Sequence, residues 1–220
     1  QLYGKGVADV FNKTAAGLGI TVIAQESIDP KAADYKALMT KIAASNSGKA
    51  PDLVYFGGVI DSNGAQLLKD KVGAMGDNTK VKFMGPDGMQ TQALIDGAGA
   101  AVAEGAYATV GGVPFDQLPP AGQQYRKDYT AAYGETNEPY SVYGYEAANV
   151  VLNAIETVCK NGGDPTNRQA IRDAVFATKN FSGVLGTWSF DANGDTTLTD
   201  MTGYVVKSGK YEAVGVLKAQ

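Results

Sequence analysis

Asp87, in a predicted turn, is by its type and position the residue of this sequence best suited to bind a charged ligand. Asp87 lies in the turn sequence Gly85-Pro86-Asp87-Gly88, directly after the apolar segment Val81–Met84. That segment predicts a buried strand, and open parallel sheets bind ligands beyond the carboxyl ends of their strands. A carboxylate there suits an ammonium group, because a charge-assisted hydrogen bond is about twice as strong as a neutral one. The aspartate can instead bond its own turn backbone, and both interpretations remain open.

Glycines and tyrosines at predicted element ends complete the candidate site. Gly57-Gly58 ends the apolar segment Leu53–Phe56, and glycine there lets the backbone approach a ligand closely. Tyr3 and Tyr140 stand at predicted helix starts. A tyrosine offers a flat apolar face and a hydroxyl, which suits a small amphipathic solute, although either tyrosine can simply pack against its neighbours.

The composition argues against most catalytic chemistry. The sequence contains no histidine and only one cysteine, Cys159, so Ser-His and Cys-His pairs, intrachain disulfides and thiolate metal clusters are excluded. It also lacks a G-x-S-x-G nucleophile elbow. Cys159 lies at a predicted helix end with no base to activate it, and we expect a buried or idle thiol. We therefore predict that the protein is not an enzyme.

Two further motifs are incomplete, and no cofactor or metal is expected. Tyr3-Gly4-Lys5-Gly6 lacks the third glycine of a dinucleotide fingerprint. Asp191, Asn193 and Asp195 alternate as in a calcium loop, but Gly194 comes too early and no glutamate follows at the twelfth position. The spacing favours a hairpin turn.

Charge and hydropathy limit the partners. The net charge of -4 makes nucleic acid or an acidic membrane surface an unsuitable partner. No apolar run approaches the roughly 18 residues of a transmembrane helix. Gln1-Leu2-Tyr3-Gly4 has neither a basic region nor an apolar core, so any signal peptide would belong to a precursor.

The first 110 residues predict alternating helices and strands. Apolar residues at helical spacing predict three helices, and short apolar runs predict three strands. The helices carry Val7, Phe11, Ala15 and Leu18; Tyr35, Leu38, Met39 and Ile42; and Leu67, Leu68 and Val72; the strands are Ile20–Gln25, Leu53–Phe56 and Val81–Met84. This alternation indicates βαβ units and a parallel sheet with helices on both faces.

The pattern changes after a linker rich in glycine and proline, residues 111–120. Helices are predicted at 121–133, at 141–159 and after the Pro165-Thr166 cap, so the chain reads as helical up to Gly186. Residues 187–217 read as β-rich, with turns at Asn193-Gly194 and Ser208-Gly209. The helices have no parallel sheet of their own to cover, which suggests that strands of a second lobe lie outside this chain.

Taken in order, several segments resemble the branched-chain amino-acid-binding family of ABC-transporter receptors, with the type I periplasmic binding fold. The matching segments span essentially the whole chain. They are Tyr3-Gly4-Lys5-Gly6, Asp52–Gly58, Phe83–Met89, Glu104-Gly105-Ala106-Tyr107, Pro139-Tyr140, Gly144-Tyr145-Glu146-Ala147 and Phe190–Asp195.

The resemblance implies a two-lobed receptor whose N-terminal part is missing. Residues 1–112 and 200–220 would form the C-terminal lobe, which contains a sheet lacking its first strand. Residues 113–199 would be the trailing part of the N-terminal lobe.

The resemblance also implies ligand contacts for Tyr3, Gly58, Val59, Asp87 and Tyr140. Asp87 matches the acidic residue that binds the ligand's ammonium, where the leucine/isoleucine/valine receptor has glutamate. Val59 stands where that receptor has a tyrosine, and the α-carboxylate site belongs to the missing part.

The implied function is capture of an amino acid between two lobes and delivery to an ABC permease, in the periplasm or on the outside of a bacterial membrane. The alternatives are a same-fold sensor or receptor for an amide, urea-type or aromatic ligand and, less favoured, a flavodoxin-like α/β enzyme.

Overall fold

The protein is represented by a computed structural model that describes residues 2–134 and 140–218. Helices and strands alternate along much of these ranges. The helices are α1 (Leu2–Gly17), α2 (Lys36–Ala43), α3 (Gly64–Met75), α4 (Gln92–Ala98), α5 (Ala100–Ala103), α6 (Pro120–Tyr133), α7 (Tyr140–Lys160) and α8 (Arg168–Phe176). The strands are β1 (Leu53–Tyr55), β2 (Lys82–Gly85), β3 (Tyr107–Gly111), β4 (Phe181–Gly183), β5 (Gly186–Trp188), β6 (Asp200–Lys207) and β7 (Lys210–Lys218).

The chain divides into two compact units. Unit 1 consists of Gln1–Gly111 and Thr202–Leu217, and unit 2 of Gly112–Met201 and Lys218–Gln220. The chain therefore passes from unit 1 to unit 2 after Gly111 and returns after Met201, so unit 1 is built from two separate stretches of sequence.

Unit 1 is organised around a five-stranded sheet in the order β1-β2-β3-β6-β7. Strands β1 and β2 are parallel, as are β2 and β3, and Tyr55 pairs with Met84 in the register. Buried side chains of β2, α2 and α3 form the core, among them Phe83, Met39 and Leu68. These apolar positions repeat at strand or helix spacing, which is why the segments fold as predicted.

Unit 2 is mainly helical. Helix α7 packs against α8, and Val150 is buried on α7 whereas Leu152 is 61% exposed. Strands β4 and β5 form an antiparallel hairpin in which Phe181 pairs with Trp188. Among the described residues of this unit, these two strands form the sheet, so the expected absence of a parallel sheet under its helices is confirmed there.

Most predicted elements are confirmed, but one strand is wrong. Ile20–Gln25 has no strand structure, and Ile20 is 57% exposed. A strand needs a hydrogen-bonded neighbour to satisfy its backbone, and β1, at the sheet edge, pairs with β2 rather than with this segment. Apolar composition alone could not supply that neighbour.

Three smaller expectations also needed correction. The chain is not helical up to Gly186, because the hairpin strand β4 comes first. Helix α8 begins after Asn167 rather than Pro165-Thr166, since the Asn167 side chain accepts hydrogen bonds from the N–H groups of Gln169 and Ala170. Strand β3 was not predicted as a separate element.

No helix within the described ranges has both the length and the apolar character needed to cross a membrane.

Candidate functional site

The candidate site is built on two turns at the carboxyl ends of β1 and β2. After β1 the chain forms the turn Phe56-Gly57-Gly58-Val59, and after β2 it enters a short 3₁₀ segment, Asp87–Met89. Because the two strands are adjacent and parallel, both turns lie at the same edge of the sheet. The backbone N–H of Phe56 donates to the Met84 carbonyl at 2.9 Å and extends the pairing up to the turns.

Close packing fixes the two turns against each other. A Cβ atom added at Gly88 would overlap the side chain of Val59, and one added at Gly58 would overlap the ring of Phe56. Gly58 is therefore buried under an aromatic ring, and Val59 lies against the turn that carries Asp87. The structure thus brings the predicted site residues Gly58, Val59 and Asp87 together at the carboxyl ends of β1 and β2.

Tyr3 and Asp87 form a direct hydrogen bond. The Tyr3 hydroxyl donates to Oδ1 of Asp87 at 3.2 Å. Partial burial, the negative charge of Asp87 and this hydrogen bond together raise the pKa of Tyr3 above its ordinary value. Tyr3 is 47% exposed and Asp87 is half-buried, so the pair lies where a solute can reach it.

Tyr55 also belongs to this cluster, although the sequence did not single it out. Its ring stacks on that of Phe11, with ring centroids 4.0 Å apart and planes 4° from parallel. Burial, followed by the charges of Tyr3 and Asp87, raises the pKa of Tyr55 to about 12. The sequence signal that could have identified Tyr55 is its position as the last residue of β1, directly before the turn that carries Gly58.

Gln90 places an unused acceptor at the end of the Asp87 turn. Its side chain is 7% exposed, and its amide oxygen is buried without a hydrogen-bond partner in the described part of the chain. A buried polar atom of this kind carries an energetic cost unless a donor reaches it.

Tyr140 is the remaining predicted site residue, and it belongs to unit 2. It is the first residue of α7 and is 44% exposed. The preceding residue of the predicted motif, Pro139, falls outside the described residues. A ligand contact for Tyr140 therefore stays a prediction.

A second carboxylate, Glu146 on α7, is enclosed by the protein's own donors. It is 2% exposed and accepts hydrogen bonds from the backbone N–H groups of Val184 at 2.9 Å and Leu185 at 3.4 Å. The indole N–H of Trp188 donates to the same side chain at 2.8 Å. Glu146 thus ties the hairpin of β4 and β5 to α7. Nothing in the sequence signals this role beyond the family motif that contains Glu146.

Lys71 on α3 is a buried cation in unit 1. Its side chain is 0% exposed, and its ammonium donates to Oδ1 of Asn78 at 2.9 Å and to the carbonyl of Val81. The amide of Asn78 in turn donates to the carbonyls of Val102 and Glu104. Burial lowers the pKa of Lys71 to about 8, and the charge of Asp77 partly opposes that shift.

The remaining chemical candidates behave as turn and surface residues. Oδ1 of Asp191 accepts hydrogen bonds from the backbone N–H groups of Asn193 and Asp195, and hydrogen bonds from this turn lower the pKa of Asp191. The turn interpretation is therefore confirmed. Cys159 is exposed, so the prediction of a buried thiol was wrong. Val158, rather than Cys159, faces the packed side of α7.

Metal ligation finds no support within residues 2–134 and 140–218. These residues contain no cluster of three or more histidine, cysteine, aspartate or glutamate side chains that could hold a metal ion.

Comparison with known proteins defines the class to which this fold and site belong. The family model described as periplasmic binding protein matches residues 1–210. The chain therefore belongs to the periplasmic binding protein family.

Two curated relatives are named as binding proteins for branched-chain amino acids. The chain is 28% identical over 216 residues to a Leu/Ile/Val-binding protein of Rhizobium johnstonii, covering 96% of this chain and 53% of that protein. It is 29% identical over 211 residues to the leucine-, isoleucine-, valine-, threonine-, and alanine-binding protein of Pseudomonas aeruginosa, covering 93% of this chain and 50% of that protein. The resemblance stated from the sequence is confirmed, and the chain spans about half the length of these relatives.

Solved structures confirm the α/β, type I periplasmic binding fold. The structure of LivJ from Streptococcus pneumoniae in complex with isoleucine matches with a TM-score of 0.79 at 25% identity, covering 99% of this chain and 57% of that one. The leucine-binding protein LivK of Thermotoga maritima matches with a TM-score of 0.78 at 24% identity, covering 99% and 58%.

Proposed function

We propose that the protein is part of a solute-binding receptor that captures an amino acid, branched-chain or related, and delivers it to an ABC importer. The observation that carries this proposal is the Tyr3–Asp87 pair at the carboxyl ends of two parallel strands, in a member of this family. The relatives named as binding proteins for branched-chain amino acids support the ligand class.

The chemistry of the site suits an ammonium-bearing solute. Asp87 supplies the negative charge, and Tyr3 and Tyr55 supply hydroxyls and aromatic faces beside it. Ligand binding removes water from the Asp87 carboxylate, and this desolvation costs free energy. A neutral ligand would bring no opposite charge to offset that cost. Capture is non-enzymatic: binding, closure and release change no covalent bond in the ligand.

The two units correspond, in this proposal, to parts of two lobes. Unit 1 is the C-terminal lobe, and unit 2 is the trailing part of the N-terminal lobe. An N-terminal segment of the same protein supplies the remaining strands, the α-carboxylate site and a cover for exposed apolar residues such as Leu152. Support comes from the coverage of about half of each relative and from the unpaired Ile20–Gln25 segment.

The receptor works outside the cytoplasm, in the periplasm or anchored at the outer side of a bacterial membrane. The family, whose members are described as periplasmic, supports this location. Its partners are then the amino acid and the ABC permease that accepts it.

The test compares Asp87→Asn with the matched control Asp61→Asn in the full-length receptor. Asp61 is exposed and lies just beyond the neighbouring turn. Calorimetry with leucine should show affinity lowered at least about 30-fold by Asp87→Asn, equivalent to roughly 2 kcal/mol, and unchanged by Asp61→Asn.

A thermal-shift screen of the parent identifies the ligand class, because a ligand that binds the native state raises the unfolding temperature. Amino acids should stabilise the receptor, whereas urea and benzoate should not. Equal leucine affinities for both variants and the parent would remove Asp87 from the site.

A further inference from the structure

Strand β7 is an exposed edge of the five-stranded sheet. It stands last in the strand order, beside β6, and has no further neighbouring strand among the described residues. Most of its residues are exposed, including the apolar Val214 at 56% and Leu217 at 54%. An edge strand of this kind presents a row of backbone N–H and C=O groups with which another strand can pair.

The turn between β6 and β7 determines which backbone groups lie on the open side. The strands are joined by the two-residue turn Ser208-Gly209, whose φ values of 49° and 75° fit a type I′ hairpin. Such a turn sets Gly203 opposite Val214, and a Cβ atom added at Gly203 would lie 3.1 Å from Cγ2 of Val214, in agreement with that register. Successive residues of β7 direct their N–H and C=O groups alternately toward β6 and toward the open side. Those on the open side include Ala213, Gly215 and Leu217.

A second copy of the chain fits this edge because the charges along β7 are self-complementary. Two antiparallel β7 strands related by a two-fold axis at Gly215 place Glu212 of each copy opposite Lys218 of the other. A two-fold axis at Val214 would instead place Lys210 opposite Lys218, and like charges directly opposite each other are destabilising. The charges therefore favour the axis at Gly215.

Apolar residues support the same register. With the axis at Gly215, Val214 of one copy lies opposite Val216 of the other, and both are β-branched residues that stabilise cross-strand pairs. A Cβ atom added at Gly215 would meet nothing within 4 Å, so the space beside the axis is open to a second backbone. Pairing would also remove part of the exposed apolar surface of Val214 from water.

We propose that the protein forms a two-fold symmetric dimer in which the β7 strands of two copies pair antiparallel and join their sheets. The occupant of the exposed edge is thus a second copy of the same chain. Because the contact uses the same strand of both copies, it closes at two and does not extend into a fibre. The inference goes beyond the proposed function and does not depend on which ligand is bound.

Sedimentation of the full-length protein over a range of concentrations measures the assembly. The parent should reach twice the mass of the monomer. Glu212→Lys and Lys218→Glu each place like charges opposite each other at two symmetric positions, so each should raise the dissociation constant of the dimer at least about ten-fold. The existing pair of Glu212 with Lys207 at 3.8 Å is exposed on both sides, and its loss should matter little.

A charge exchange and a surface control make the test specific. Glu212→Lys combined with Lys218→Glu restores opposite charges across the axis and should recover most of the parental dimer affinity. Lys127→Glu, at an exposed position of α6, changes the charge as Lys218→Glu does and should leave the dimer unchanged.

Hydrogen–deuterium exchange locates the contact within the chain. When the protein concentration is raised above the dissociation constant, exchange at Ala213, Gly215 and Leu217 should slow, because their N–H groups become hydrogen-bonded across the axis. Glu212→Lys should abolish this concentration dependence.

The outcomes separate this inference from the proposed function. A full-length protein that stays monomeric at every soluble concentration, a dimer that withstands both single substitutions, or assemblies that grow beyond two copies would overturn the β7 pairing. Leucine calorimetry on the same samples tests the proposed function independently. If the parent dimerises as described but binds no amino acid, the proposed function fails and the β7 dimer stands.

Discussion

Asp87 and Glu146 are two acidic residues that the fold treats in opposite ways. Glu146 is sealed in unit 2 with three N–H donors from the β4–β5 hairpin. Asp87 is half-buried at a strand end in unit 1, where a tyrosine hydroxyl meets one of its oxygens. A carboxylate enclosed by the protein's own donors stabilises structure, whereas a half-buried carboxylate at a strand end, within reach of solvent, is suited to a ligand.

Lys71 extends the comparison to a cation. Its ammonium is fully buried and is met by Asn78 and by the carbonyl of Val81. Like Glu146, it joins segments that are distant in sequence, because Asn78 continues the network to the carbonyls of Val102 and Glu104. The buried charges of Glu146 and Lys71 are therefore structural, and the half-buried carboxylate of Asp87 is different in kind.

The largest loss of stability is expected when the enclosed carboxylate of Glu146 is removed. Glu146→Ala should lower the free energy of unfolding by about 3 kcal/mol, because it leaves buried donors on Val184 and Trp188 without their acceptor. Denaturant titration followed by Trp188 fluorescence measures the loss. Glu156→Ala on the same helix, where the side chain is exposed and pairs with Lys160, should change stability little. Equal losses for both variants would contradict the structural role of Glu146.

A pH-dependent effect is expected from Lys71. Its pKa of about 8 in the folded state lies below its ordinary value of 10.5, so the unfolded chain binds more protons between these values. Stability should therefore rise with pH from 8 to 9.5. Above that window, Tyr55 and Tyr211, whose pKa values are raised by burial, act in the opposite direction.

Lys71→Met is the control for this rise, since it keeps a long unbranched side chain and removes the titrating ammonium group. Chemical denaturation at several pH values should show a flatter profile for the variant. An identical rise in both proteins would assign the pH dependence to another group.

Gln90 should give a smaller effect of opposite sign. Gln90→Met removes a buried acceptor that has no partner in the described part of the chain, so the free energy of unfolding should increase by about 1 kcal/mol in the absence of ligand. Thermal denaturation measures the gain, and Gln124→Met, at an exposed position of α6, should be nearly neutral. A destabilised Gln90→Met protein would mean that the amide oxygen is already satisfied.

The smallest change in stability is expected at Asp87 itself. Without ligand, Asp87→Asn should alter the free energy of unfolding by less than about 0.5 kcal/mol, because Asp87 is half-buried, whereas Glu146 is only 2% exposed. Urea denaturation of parent and variant provides the comparison. A loss near that of Glu146→Ala would make Asp87 a structural residue and end the contrast drawn between them.

The sequence predicts those features that depend on neighbours along the chain. Helix α7 and strand β2 follow from apolar spacing, and Asp87 could be singled out because its turn directly follows a strand. Ile20–Gln25 failed because a strand depends on a partner that apolar spacing does not reveal. Glu146 and Tyr55 were missed for a related reason: their partners, Trp188 and Phe11, are far from them in sequence and meet them only in the folded unit.

The double passage of the chain between the units has a consequence for synthesis. Strand β3 lies beside β6 in the sheet, but the whole of unit 2 up to Met201 is translated between them. At translation rates of roughly 5–20 residues per second, β3 waits several seconds or longer for its neighbour. Unit 2 can assemble during that interval, whereas the nascent sheet of unit 1 carries an unpaired edge until its last strands leave the ribosome. An unpaired strand edge can pair with other chains and aggregate, so we expect a holding chaperone to bind there.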